Sequence, residues 1–126
     1  MTRTPTPVGD FPAHDRSALD RLTRFGGVKL LGEMISLFLV SAPERIAAAR
    51  AATTSGNASE AEVALHSLKS SSAQLGAMRM QRLSEEGEHS ARRGSLDGLT
   101  RLADELEQEL DRVRHWLTSV RDGAAA

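Results

Sequence analysis

His66 and Lys69 stand three residues apart in the stretch ALHSLKSSSAQLGA, and Ser70, Ser71, Ser72 and Ala73 follow at once. On a helix, residues three and four apart share a face. Lys69 and Ser70 therefore lie beside His66, with Glu62 one turn before it and Ala73 two turns after. A neutral imidazole is a competent nucleophile near neutral pH, because its unperturbed pKa is about 6.5. Attack on an acyl phosphate would yield a phosphohistidine, and a lysine one turn along can neutralise the phosphoryl oxygens as their charge arrives. The chain has two lysines against fourteen arginines, so Lys69 does not belong to a generic lysine-rich surface. Small side chains at 70 and 73 would let another protein's backbone approach the ring closely. Glu62 is placed to hydrogen-bond the imidazole, in competition with a capping role. Taken alone, a histidine beside a lysine on a helix is also an ordinary surface pair.

The element that must carry these residues reads as the third of five helical segments. Ser59 followed by Glu62 fits the S-x-x-E capping box and predicts its start. Ala61, Leu65, Leu68, Ser72 and Leu75 form its buried stripe, and Gly76 marks its end. At about 100° per residue, His66 points roughly a quarter-turn off that stripe, at or outside the core boundary. Before it, Ser17 starts a short helix through SALDRLTRF that Gly26 and Gly27 stop. A second helix begins near Val28, with Leu31, Met34, Ile35, Phe38, Ala42, Ile46 and Ala49 at spacings of three and four. Pro43 interrupts it and predicts a kink or break near Ser41. After Gly76, a fourth helix runs from about Met78 to Arg92, with Met80, Leu83 and Gly87 inward and Gly94 beyond its end. The last carries Leu99, Ala103, Leu106, Leu110, Val113, Leu117 and Val120 in a heptad-like seam. All these stripes are core. Short connections between amphipathic helices imply antiparallel neighbours, and hence an all-α, up-down-up-down four-helix bundle with a short extra N-terminal helix.

Composition agrees. The 126 residues suit one domain, 40% hydrophobic but only 3% aromatic, which favours helix packing over a sheet. A net charge of −1 argues against a nucleic-acid surface. The absence of cysteine excludes disulfides and thiolate metal sites. Three of the four prolines fall in residues 1–16, read as a flexible tail ahead of a bundle over 17–121, with 122–126 as a disordered C-terminal tail. The N-terminus lacks a signal-peptide apolar run, and LGEMISLFLV is interrupted by Glu33 and Ser36. The expectation is a cytoplasmic chain with no membrane insertion, and nothing in the stripes demands more than a monomer.

HSLKSSSAQLGA closely resembles the H-x-L-K-G-S…L-G signature of histidine-containing phosphotransfer (HPt) domains. FLVSAPERIAAARAA is similar to that family's helix before the active one, and LSEEGEHSARRGS to its next helix, so the likeness covers about residues 17–121. The resemblance implies that His66 accepts and donates phosphoryl groups through Nε2, that Lys69 steadies them, and that a small residue at 70 leaves room for the partner. It implies as partners the receiver domains of a hybrid sensor kinase and of a response regulator. The receiver supplies the phospho-aspartate and Mg²⁺, so this chain needs no cofactor or metal of its own. One departure is Ser70, where the family usually has glycine; it bears on rate or partner choice more than on fold. Glu88 and Arg92, one turn apart on the fourth helix, border the active face, either in partner docking or as a solvated salt bridge.

Three other readings compete. A di-metal bundle needs two E-x-x-H motifs, and only Glu86/His89 fits. A self-contained enzyme is disfavoured, because the chain has neither a G-x-x-x-x-G-K-[ST] loop nor a G-x-G-x-x-G after a strand. The alternative that keeps the fold is an HPt-like docking or inhibitory module that is never phosphorylated.

Overall fold

The computed structural model describes residues 13–125, so the expected flexible tail falls outside it up to residue 12. Four helices follow in order: α1 (Arg16–Ser55), α2 (Ala58–Leu75), α3 (Met78–Arg92) and α4 (Leu99–Ala125). Each packs antiparallel to the one before through a short turn, α1 also lies against α4, and no strand occurs among the described residues.

The helix ends follow from local chemistry. The Asp15 carboxylate accepts from the Ser17 N–H and caps α1. Gly27, at φ 76° and ψ −177°, is the one non-helical residue inside α1, and it divides the expected short helix from the long one. Of the kink or break expected near Ser41, the break does not occur. Backbone dihedrals stay helical through Pro43, whose ring is solvent-exposed, so water can reach the carbonyl one turn back that loses its donor. The stripe around it (Phe38, Ala42, Ile46) is clamped in the core.

The capping box also needs correcting. α2 starts at Ala58, and the Asn57 side chain accepts from the Glu60 N–H, so Ser59 is already inside the helix and Glu62 is free for other partners. The limits of α3 match the expectation, whereas α4 runs through Ala125 and makes the start of the expected C-terminal tail helical.

Every predicted inward residue of α2, α3 and α4 is buried, as is every one on α1 except Met34, which packs partly buried against the same core. Length and composition alone would let α1 cross a membrane, contrary to the reading of Glu33 and Ser36 as sufficient interruptions. Its Leu31, Ile35, Phe38 and Ile46 lie in the bundle interior, while Leu37 and Val40 are exposed. At Gly87 a Cβ would run into Leu102 of α4 and crowd Leu65 of α2, so the glycine lets α3 lie close to both neighbours.

Candidate functional site

That close approach brings α3 onto the face of α2 that carries His66. The next residue after Gly87 is Glu88, and its side chain is only 3% exposed. Three cations or potential cations surround it. His66 Nδ1 lies 2.6 Å from Oε2, Lys69 Nζ lies 2.6 Å from Oε1, and an Arg92 terminal nitrogen lies 2.9 Å from Oε2. Arg92 Nε reaches back to α2 and donates to Glu62 Oε2 at 3.0 Å. The result is a closed network between two helices with one buried carboxylate at its centre.

Burial is the strongest single influence on Glu88 and by itself would raise its pKa. Hydrogen bonds from Lys69 and then His66, with the charges of both, outweigh it and hold the carboxyl below its ordinary value of 4.5. Glu88 is therefore an anion at neutral pH. An ionised carboxylate only accepts hydrogen bonds, so His66 Nδ1 must carry the ring proton. In the neutral ring that leaves the lone pair on Nε2, on a side chain that is 60% exposed.

The sequence-derived residues come together with changed partners. His66, Lys69, Glu62, Glu88 and Arg92 form one connected cluster, and Ser70 and Ala73 lie exposed beside it on α2. Glu62 does not bond the ring as expected; it pairs with Arg92, because Glu88 already occupies Nδ1. Lys69 stands on Glu88 rather than free over the imidazole. Glu88 and Arg92 do not form a simple solvated pair, since the carboxylate is shielded and shared three ways. Only the structure shows this. Glu88 falls four residues after the buried Ser84 and three before the buried Ala91, so it is a charge inside a buried stripe.

The other histidines stand apart from this cluster. Glu86 and His89 are exposed on α3, and His115 is exposed on α4. Among the described residues, no group of three or more His, Asp or Glu side chains is arranged to hold a metal ion.

Comparison with known proteins bears on the family and the fold. The family model described as Hpt domain matches residues 33–116. Histidine-containing phosphotransfer protein B (HptB) from Pseudomonas aeruginosa PAO1 superposes with a TM-score of 0.83 at 28% identity, covering 88% of this chain and 96% of that one. The HPT domain of a sensor hybrid histidine kinase from Shewanella shares the fold, with a TM-score of 0.73 at 23% identity over 90% of this chain and 97% of that one. No curated protein is matched by the sequence. With two thirds of its length under one family model, and a bundle that places a histidine, a lysine and a buried carboxylate on adjoining helices, the chain belongs to the Hpt domain family, the phosphotransfer modules of two-component signalling.

Proposed function

We propose that this chain carries a phosphoryl group on His66 in a phosphorelay, taking it from the receiver aspartate of a hybrid sensor kinase and passing it to that of a response regulator. The observation that carries the reading is the buried, ionised Glu88 on Nδ1 of an exposed imidazole. It fixes the tautomer and aims the Nε2 lone pair outward. In the transfer, Nε2 bonds to phosphorus while the bond from phosphorus to the receiver's aspartate oxygen breaks. The carboxylate leaves with that electron pair. The ring then bears positive charge with its proton still on Nδ1, and the Glu88 carboxylate stabilises that cation. The return step reverses each change.

Lys69 is held on the same carboxylate, one turn from His66, where its ammonium can neutralise phosphoryl oxygens. Ser70 and Ala73 keep the approach to the ring low, and Glu62 with Arg92 gives a docking receiver a charged rim. Mg²⁺ comes with the receiver. The chain works in the cytoplasm as a monomer and has no nucleotide chemistry, so incubation with labelled ATP alone leaves it unlabelled.

The test presents the purified protein with a phosphorylated receiver domain and follows acid-labile label. Wild type gains label and the His66→Gln variant does not. Wild type gaining no more label than His66→Gln across several receivers would overturn the reading, and no label on either would leave a docking module in its place.

A further inference from the structure

Ala13, His14 and Asp15 lie across the turn between α2 and α3. The Asp15 N–H donates to the Gly76 carbonyl at 2.7 Å. The Ala13 carbonyl accepts from the Met78 N–H at 2.9 Å and from the Arg79 N–H at 3.3 Å. These are the first two amides of α3, and α3 has no side-chain cap. A carbonyl from a distant part of the chain thus does the work of an N-cap. The seat is shaped for it: Gly76 sits at φ 74°, and a Cβ there would collide with the Asp15 carbonyl.

Between these backbone bonds, His14 stacks flat on Trp116 of α4, with ring centroids 4.3 Å apart and planes 4° from parallel. Its Nε2 is sealed from water and has no hydrogen-bond partner among the described residues. The charged and titratable groups around it are Arg79 on α3, Glu109, Asp111, Arg112 and His115 on α4, and Asp15 on its own segment. The fully buried Glu109 is the one anion close in, and its Oε1 is already taken by Arg79 at 3.3 Å and Arg112 at 2.9 Å. Its other oxygen, Oε2, is buried without a partner, and no hydrogen bond joins Glu109 to His14.

We propose that residues 13–15 form an acid-releasable strap, in which the neutral His14 ring holds the Ala13 carbonyl over the start of α3 and protonation of that ring lifts it. In the seated position a proton on the sealed Nε2 has no acceptor within hydrogen-bond reach, the open Glu109 Oε2 included, and it would bring a cation close to Arg79. The indole face attracts a cation but supplies no acceptor for a buried N–H. Burial lowers the His14 pKa from its ordinary 6.5, with Arg79 acting in the same direction and Glu109 only partly opposing them. The lifted strap therefore binds protons more readily than the seated one. Opening becomes easier as pH falls through about 6.5 and levels off below the seated value, so at pH 5.5 its equilibrium constant is up to about tenfold larger.

Amide exchange on the full chain reads this directly. In wild type, protection factors at Met78 and Arg79 fall severalfold between pH 7.5 and 5.5, while that of the core residue Leu106 holds. His14→Phe keeps a stacking ring that cannot titrate, so its Met78 and Arg79 protection is the same at both pH values. Trp116 is the sole tryptophan, and in wild type its fluorescence changes over the same pH interval. Protection at Met78 and Arg79 that is flat or rises in acid in wild type overturns the proposal, as does an acid loss in His14→Phe equal to that in wild type.

Discussion

A carboxylate nearly out of reach of water, touched by a histidine, a lysine and an arginine, concentrates the chemistry at Glu88. Glu88→Gln keeps the volume and an acceptor for Nδ1 but removes the charge that stabilises the phosphorylated ring. Transfer to the protein should slow on the order of 100-fold, as expected when a group that stabilises charge developing on the reacting ring is lost, with helicity by circular dichroism unchanged. Stability should fall by about 1–2 kcal/mol, since His66 and Arg92 can turn to solvent when the anion is gone. The pH sign follows from a folded pKa held below 4.5. The stabilisation by Glu88 is fully present above that ordinary value and disappears as pH falls through the lower folded one. Acid denaturation should therefore show wild type and Glu88→Gln separated at pH 6 and converging below pH 4.5. At position 70, Ser70→Gly should cost about 0.5 kcal/mol of helix stability. The same change should speed transfer from a receiver by opening the surface beside His66, as stopped-flow mixing would record.

At the scale of elements, the site exists because α3 comes close to α2, and Gly87 permits it. Gly87→Ala should cost about 1–3 kcal/mol in chemical denaturation. The added methyl meets the ends of the Leu102 and Leu65 side chains, and a slower phosphotransfer would report that α3 shifts with Glu88 rather than the leucines turning aside. Asn57→Ala removes the α2 cap and should cost about 1 kcal/mol with little effect on transfer rate. The helical stripes, the limits of α3 and the shared face of His66, Lys69, Ser70 and Ala73 were legible in sequence, because they depend on periodicity and nearby breakers. The cap of α2 was less so: Asn57 and Ser59 both suit the role, and only the amide actually reached decides between them. For a related reason Pro43 does not break α1. Its local cost is real, but packing of α1 on its neighbours overrides it.

For the whole molecule, what escaped sequence reasoning is what depends on long-range contact. Glu88 meets His66 across 22 residues. Its burial as an anion is intelligible only once α2 delivers Lys69 and His66 to it. The His14 strap and the buried Glu109 with Arg79 and Arg112 are likewise products of assembly, joining the chain's beginning, the α2–α3 turn and α4. One stripe of α1 is likewise part of the bundle interior, while Leu37 and Val40 on the same helix stay exposed. All of this converges on one ring nitrogen. The most direct measurement is a long-range proton–nitrogen NMR spectrum of the protein after phosphorylation by a receiver domain, with its histidines labelled. The account predicts a single phosphorylated ring, that of His66, bearing phosphorus on Nε2 and its proton on Nδ1. Phosphorus on Nδ1, or on any other histidine, would contradict it.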